Sequence, residues 1–167
     1  MLRGSSDVLI VTKHEYACAL ARVVATKSTC PRAKVGAVFF SPDYEVLATG
    51  YNGAPRGLAH CEDKGCTMQD GHCVSSSHAE LNAVTQAARR GTPLQGSILY
   101  CTHSPCNTCA KMLVNLGIKS VYYETAYWQG DRETLVKAGI FVASWNKDCV
   151  IKMLGIARPA FEGVKKE

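Results

Sequence analysis

Two cysteines at the start of a predicted helix have the spacing of a metal site. Cys106 and Cys109, within SPCNTCA (104–110), lie three positions apart, so their side chains share one helix face. At a helix start, the dipole and the free backbone N–H groups favour a thiolate. Two thiolates that point the same way supply half of a tetrahedral zinc site. Two small buried residues are the alternative interpretation.

A histidine and a glutamate begin another predicted helix. His78 is the best candidate for a third ligand, and Glu80 lies two positions later. Three protein ligands leave one metal position open, which is typical of catalytic zinc, and a water there loses its proton near pH 7. We predict that Glu80 transfers protons without ligating the metal. Ser77 and Glu80 also have the spacing of a helix capping box, so we expect Ser77 to cap this helix.

A second group of cysteines falls in and beside the long connection at residues 51–77. Loops of this length are usually functional or disordered, and residues 58–77 have few apolar side chains to hold them. A structural zinc would order such a loop. The predicted ligands are Cys30, Cys61, Cys66 and Cys73, with His72 or His60 as a replacement. Unligated thiols in an irregular loop are the alternative.

The overall composition sets the class of protein. The chain has 167 residues, of which 47% are hydrophobic and 20% charged, which predicts a single domain over 1–167. We expect a cytoplasmic protein without membrane association, because no apolar run spans a bilayer and the first residues do not resemble a signal peptide. Nine cysteines, an odd number, then favour metal ligation or catalysis over disulfides.

The surface charge gives a weaker indication. A net charge of +5 suits an anionic ligand, but it is equally typical of an ordinary solvated surface. The basic residues are scattered and are not interleaved with aromatic residues, so we expect no stable nucleic-acid partner.

The patterns of apolar residues predict the elements that position these side chains. A capping box at Thr12 and Glu15 begins the first helix. The predicted helices are 13–28, 78–90, 105–117 with Ser104 as N-cap and Pro105 as first residue, and 131–138. The predicted strands are 35–40, 45–50, 97–102, 119–124 and 140–145. This order predicts an α/β domain with a mixed five-stranded sheet, a core at about 13–145 and a loosely held tail at 150–167. The cleft would lie where the helices at 78 and 105 begin.

Six stretches together resemble the deoxycytidylate (dCMP) deaminase family. They are STCPRAKVGA (28–37), GYNGAPRG (50–57), HCEDKGC (60–66), HAELNA (78–83), SPCNTCAK (104–111) and GIKSVYY (117–123). His-x-Glu followed by Pro-Cys-x-x-Cys is the signature of zinc-dependent deaminases. The resemblance implies a three-layer α/β/α cytidine-deaminase-like fold and zinc-dependent conversion of dCMP to dUMP. It also implies a homo-hexamer that dCTP activates and dTTP inhibits.

The resemblance assigns roles to particular residues. It implies that His78, Cys106 and Cys109 bind the catalytic zinc and that Glu80 is the proton shuttle. Cys30 and Cys61 match positions that hold a second zinc in some members of the family. The residues implied in or proposed for substrate binding are Asn52 at the deoxyribose, Ala79, and Tyr127, Arg32 and Lys27 as candidates for the 5′-phosphate. A plain turn residue is the alternative for Asn52.

A glycine-rich stretch resembles the family's regulatory triphosphate site. Its residues are Gly50, Gly53, Arg56 and Gly57, and a triphosphate there would bring Mg²⁺. Glycines let the backbone approach a ligand closely.

Two other functions compete with this interpretation. One is deamination of dCTP, a free nucleoside or a tRNA adenosine by the same zinc site; the scattered charge and the GYNG and HAELNA stretches argue against the tRNA. The other is a zinc-stabilised binding module without activity, against which the intact Glu80 argues.

Overall fold

A mixed five-stranded sheet is the centre of the computed structural model, which describes residues 11–146. Its strands are β1 Gly36–Phe40, β2 Val46–Tyr51, β5 Ile98–His103, β6 Ser120–Thr125 and β7 Phe141–Ser144; a separate hairpin has β3 Met68–Gln69 and β4 His72–Cys73. The helices are α1 Lys13–Ala25, α2 Cys61–Lys64, α3 Ala79–Arg90, α4 Asn107–Asn115 and α5 Arg132–Lys137. Cys149, which the sequence suggests is an ordinary small apolar residue, and the predicted tail lie outside the described residues.

The order of the strands brings the two halves of the sequence together. The sheet runs β2-β1-β5-β6-β7, with β1 antiparallel to both β2 and β5. The pairs β5–β6 and β6–β7 are parallel, so the predicted mixed sheet is confirmed. The carboxyl ends of β5 and β6 therefore lie at one edge of the sheet, immediately before α4 and the loop that leads to α5.

Helices cover both faces of the sheet, which confirms the three-layer architecture. Strand β1 is buried along its whole length because its alternate residues enter two cores. Val38 and Phe40 pack on the side of α1, whereas Ala37 and Phe39 pack on the side of α3, α4 and α5. Among residues 11–146, no helix is both long enough and apolar enough to cross a membrane.

The first helix begins where the sequence predicts and ends earlier. Thr12 Oγ1 accepts a hydrogen bond from the Glu15 amide at 3.1 Å, and the Glu15 carboxylate accepts one from the Thr12 amide at 2.8 Å, which confirms the capping box. The helix stops at Ala25 rather than at residue 28. The Ser28 hydroxyl donates to the Asn52 carbonyl at 2.9 Å and so belongs to the connection that follows.

The long connection is less irregular than its composition suggests. It contains the one-turn helix α2 and the hairpin of β3 and β4, whose turn has Asp70 and Gly71 at positive φ. Their sequence signal is weak because each element is only two to four residues long.

The predicted N-caps of α3 and α4, Ser77 and Ser104, are both wrong. The N-cap of α3 is His78, because Ser77 is engaged one residue earlier in a backbone bridge with Gly53. The N-cap of α4 is Cys106, so Ser104 lies two positions too early. A zinc-ligand candidate thus occupies the N-cap of each helix, where neither helix has a side-chain cap hydrogen bond.

Candidate active site

The structure brings the three predicted catalytic ligands together. Nδ1 of His78 lies 3.3 Å from the Cys106 sulfur and 3.5 Å from the Cys109 sulfur. In a tetrahedral site, zinc bonds of about 2.3 Å to sulfur and about 2.0 Å to nitrogen separate the two ligand atoms by about 3.5 Å. The three donor atoms therefore fit one zinc ion.

The two helix starts explain how these side chains converge. Cys106 is the N-cap residue of α4, and Cys109 lies in the first turn of that helix. The Cys106 sulfur therefore faces both the thiol and the backbone amide of Cys109. Hydrogen bonds to the Cys106 sulfur lower its pKa to about 4; the one from the Cys109 thiol has the largest effect, and the one from His78 has a smaller effect. The same contact with Cys106 raises the pKa of Cys109. The turn thus favours a thiolate at Cys106, the form that ligates zinc.

Glu80 lies in the first turn of α3 and is buried. Only 4% of its surface is exposed, and it lines the same cleft as His78 and Cys106. Burial raises the pKa of its carboxyl above the usual range. The capping box predicted for Ser77 and Glu80 does not form, because the N-cap of α3 is His78. A buried carboxyl beside a metal site is an arrangement suited to proton transfer.

The cleft extends outward from this metal site and is open to solvent. Of the predicted substrate-binding residues, Asn52, Ala79, Arg32 and Tyr127 line it. Lys27 is exposed and is not part of the lining. The structure therefore separates Lys27 from the other four candidates.

Asn52 has a structural role at the cleft wall. Its side-chain oxygen accepts a hydrogen bond from the Val35 amide at 2.8 Å, and its side-chain nitrogen donates to the Ala33 carbonyl at 2.9 Å. An asparagine amide has two donor hydrogens, so one remains to bind a ligand. The turn function and the substrate function of Asn52 are compatible.

Aromatic and basic side chains form the outer rim of the cleft. The Tyr127 hydroxyl and Nδ1 of His72 are 2.9 Å apart, and the Trp128 ring stacks on His72 with a centroid distance of 5.2 Å. The Arg32 guanidinium donates to the Gly71 carbonyl at 3.2 Å and so lies beside the same hairpin. The rim, which consists of Arg32, His72, Tyr127 and Trp128, therefore offers a cation and hydroxyl and imidazole groups to a ligand in the cleft.

The second predicted ligand set also converges. The sulfur atoms of Cys30 and Cys66 are 3.8 Å apart, and those of Cys61 and Cys73 are 3.5 Å apart. All four lie within 4.8 Å of one another, and a tetrahedral site with four zinc–sulfur bonds of about 2.3 Å spaces the sulfurs by about 3.8 Å. The four thiols fit a structural zinc. His60 and His72 make other contacts, to Thr29 and to Tyr127.

Comparison with known proteins decides the family. Residues 11–125 match the family described as the cytidine and deoxycytidylate deaminase zinc-binding region. The chain belongs to this family. It is therefore a member of a group of zinc-dependent hydrolases, and the two thiol clusters lie in its zinc-binding region.

Individual relatives agree with this assignment. The chain is 43% identical over 143 residues to the ComE operon protein 2 of Bacillus subtilis, covering 84% of this chain and 75% of the relative. It is 38% identical to the deoxycytidylate deaminase of Schizosaccharomyces pombe, covering 67% of this chain but only 37% of that protein. A solved structure of the dCMP deaminase from cyanophage S-TIM5, in complex with dCMP and dUMP, matches 79% of this chain and 96% of its own at 36% identity and a TM-score of 0.72.

None of the four residues predicted for the regulatory site lines the cleft, although Asn52, between Gly50 and Gly53, does. A Cβ at Gly50 would lie 2.2 Å from the Ala79 carbonyl oxygen, so this glycine is required by contact with α3 and not by a ligand. A Cβ at Gly53 would lie 2.7 Å from Thr29 Oγ1. Arg56 and Gly57 are exposed, and the regulatory role of the stretch stays a prediction.

Sequence reasoning missed several residues of this deaminase cleft. The sequence predicts His72 only as a replacement ligand for the second zinc. It predicts no role for Trp128 or His103, which also line the cleft. The position of His72 directly before Cys73 was a usable signal, since a residue beside a zinc ligand is held in place. Trp128 had no comparable signal.

Proposed function

We propose that this member of the deaminase family converts dCMP to dUMP by zinc-dependent hydrolysis. The observation that carries the proposal is the geometry of the cleft. His78, Cys106 and the buried Glu80 line it together with Arg32, and Cys109 completes the set of three zinc-ligand candidates. Further support comes from the relatives named deoxycytidylate deaminase and from the cyanophage enzyme with bound dCMP and dUMP.

The cleft would hold the metal at these ligand candidates. His78, Cys106 and Cys109 would supply three ligands, and a tetrahedral zinc has one further position for water. Zinc, when bound there, supplies a Lewis acid that makes water nucleophilic near neutral pH. The protein contributes the position of the three ligands, since two of them are fixed as N-caps of α3 and α4.

Glu80 moves the protons of the reaction. It takes one proton from the attacking water and delivers it to the ring nitrogen of cytosine. It then carries the second proton, that of the hydroxyl group added to the ring carbon, to the amino group, which leaves as ammonia as the carbonyl of uracil forms. The overall reaction consumes one water and releases one ammonia. A carboxylate that accepts and donates in turn must be free of the metal, and Glu80 is outside the three-ligand set.

The rim binds the 5′-phosphate. Arg32 supplies a cation and Tyr127 a hydroxyl, and hydrogen bonds from charged groups to phosphate are stronger than those between neutral groups. Lys27 is omitted from this proposal because it lies outside the cleft lining. The rim therefore favours a nucleotide over a nucleoside.

Other properties are predictions that rest on the resemblance. The Cys30, Cys61, Cys66 and Cys73 cluster would bind a second, structural zinc. Regulation by dCTP and dTTP with Mg²⁺, assembly as a homo-hexamer and a cytoplasmic location belong to the same set of predictions.

Release of ammonia from a panel of substrates tests the proposed function. The panel is dCMP, deoxycytidine, dCTP and a tRNA anticodon stem, each offered to the zinc-loaded protein. We expect the highest kcat/KM with dCMP. Equal turnover of the monophosphate and the nucleoside would contradict the phosphate-binding role of the rim, and deamination of the tRNA alone would overturn the proposed substrate.

A further inference from the structure

The loop between β6 and α5, residues 126–131, forms one wall of the cleft. It carries Tyr127, which bonds to His72, and Trp128, which stacks on the same imidazole. Trp128 is 74% exposed, so its position depends on the loop backbone and on this stack more than on burial in a core. Something must therefore hold the loop against the cleft.

The turn that carries the zinc-ligand candidate Cys106 holds this loop. Ser104 is 8% exposed, and its hydroxyl oxygen accepts a hydrogen bond from the Tyr127 amide at 2.8 Å. The Ser104 amide donates to the Thr125 carbonyl at 2.9 Å, on the other side of the same loop. These two contacts join Ser104, which follows β5, to Thr125 and to Tyr127, the two ends of a three-residue segment.

The far end of the loop is attached to the same turn. The Asp131 amide donates to the Pro105 carbonyl at 2.9 Å, and Gly130 forms a backbone bridge with Cys106. A Cβ at Gly130 would lie 2.4 Å from the Ser104 hydroxyl oxygen and 2.9 Å from the Tyr127 carbonyl oxygen. The backbone at Gly130 therefore packs directly on Ser104, and a side chain there would displace the hydroxyl.

We propose that Ser104 is a positioning residue that acts through its side chain on Tyr127. Its hydroxyl satisfies the Tyr127 amide and so sets the distance between the aromatic wall and the metal site. This inference rests on the proposed function, because it takes Tyr127 to contact the substrate. Ser104 itself needs no contact with the reacting atoms.

Steady-state kinetics of the Ser104→Ala variant with dCMP test the inference. Loss of the acceptor leaves the partly buried N–H of Tyr127 without this partner, so we expect KM to rise on the order of tenfold while kcat stays within about twofold. The zinc content should equal that of the wild-type protein. An effect on kcat with unchanged KM would overturn the inference, since Ser104 would then act on the chemical step.

Ser97→Ala is the matched control. Ser97 is fully buried just before the opposite end of β5, and within the described residues its hydroxyl has no hydrogen-bond partner. The same chemical change at this position should leave KM and kcat at their wild-type values. A KM shift as large as that of Ser104→Ala would overturn the inference, because general loosening of β5 would explain both.

Tryptophan fluorescence supplies a readout that does not depend on activity. Trp128 is exposed and Trp145 is 5% exposed, so a titration with dUMP, the product, should change the signal of Trp128. Trp128→Phe identifies that signal by removing it. We expect Ser104→Ala to need on the order of tenfold more dUMP and Ser97→Ala to match the wild type. Equal dUMP affinity of the wild type, Ser104→Ala and Ser97→Ala would overturn the inference.

Gly130→Ala approaches the same contact from the other side. The added methyl group collides with the Ser104 hydroxyl, so this variant should also raise KM for dCMP. The double variant with Ser104→Ala and Gly130→Ala should raise KM by less than the product of the two single effects. Independent effects would contradict the inference. Failure of the wild-type protein to deaminate dCMP would instead overturn the proposed function. A wild-type protein that deaminates dCMP, with unchanged KM in both variants, overturns only the role of Ser104.

Discussion

The two metal-ligand clusters differ in how the fold holds them. His78 and Cys106 are N-caps of helices that pack on the central sheet, and Cys109 is one turn further along α4. The other cluster has two of its four thiols in short elements of the long connection, Cys61 in α2 and Cys73 in β4. The first cluster is positioned by the fold, whereas the second has little other structure to fix it.

The number of ligands separates their functions. Three donors would leave one position of a bound zinc open for water, whereas four thiols would fill all four positions. The second cluster still affects the cleft, because Cys30 lies two residues before Arg32 and Cys73 directly follows His72. We therefore assign chemistry to the first cluster and placement of the rim to the second.

Loss of a ligand in the three-donor cluster should have the largest effect. Cys106→Ala should abolish turnover of dCMP and lower the zinc content by one ion per chain, while the far-ultraviolet circular dichroism spectrum stays that of the wild type. The helices remain because their packing on the sheet does not involve this thiol. Turnover retained at the reduced zinc content would reverse the roles of the two clusters.

Loss of a ligand in the four-thiol cluster should have an intermediate effect. Cys61→Ala should also lower the zinc content by one ion per chain, but it should retain turnover with KM for dCMP raised on the order of tenfold. Limited proteolysis should cut within residues 58–77 faster than in the wild type, since that segment loses its cross-link. Cys18→Ala, a buried thiol outside both clusters, is the control and should change neither readout.

A smaller effect is expected at the rim that the second cluster places. Arg32→Ala removes a cation from the phosphate end, so KM for dCMP should rise about tenfold while kcat/KM for deoxycytidine stays constant. Loosening of the hairpin at Gly71 would instead impair both substrates. Lys27→Ala is the matched control, because Lys27 is a basic residue outside the cleft lining. An equal effect of the two substitutions would contradict the assignment of Arg32.

The smallest expected effect lies on the α1 face of the sheet, far from both clusters. His14 contacts the Tyr100 hydroxyl at 2.8 Å and the Cys18 sulfur at 3.7 Å, and burial lowers its pKa below 6.5. The unfolded chain then binds the proton more readily, so stability falls as pH drops through about 6.5 toward the folded pKa. Urea unfolding at about pH 8 and about pH 5.5 should show a larger loss in wild type than in His14→Gln. An equal loss of unfolding free energy in the wild type and in His14→Gln would contradict this role of His14.

The sequence predicted which residues come together in the two clusters better than it predicted the local geometry around them. The spacing of Cys106 and Cys109 and the presence of His78 sufficed to predict the three-donor cluster, because metal ligation restricts residue type strongly. Cys30, Cys61, Cys66 and Cys73 were found through composition, since thiols in a polar loop have few other structural uses. The fold followed from the alternation of strands and helices.

The cap positions of α3 and α4 and the contacts at the rim could not be predicted. Ser77 fits a capping box by spacing, but its backbone pairs with Gly53, a residue 24 positions earlier, and that tertiary contact moves the cap to His78. Ser104 also looks like a cap, and its hydroxyl instead serves Tyr127 in a different loop. Such contacts depend on which strand ends meet, which local propensity does not encode.

Turnover by the Glu80→Gln variant tests the central claim most directly. The account predicts wild-type zinc content and fold with dUMP formation slowed by about 10²- to 10⁴-fold, because an amide cannot transfer the proton. Glutamine preserves the shape of the side chain, so a purely structural role of Glu80 would leave the rate unchanged. A rate within about tenfold of the wild type, with the metal retained, would contradict the assignment of Glu80 as the proton shuttle.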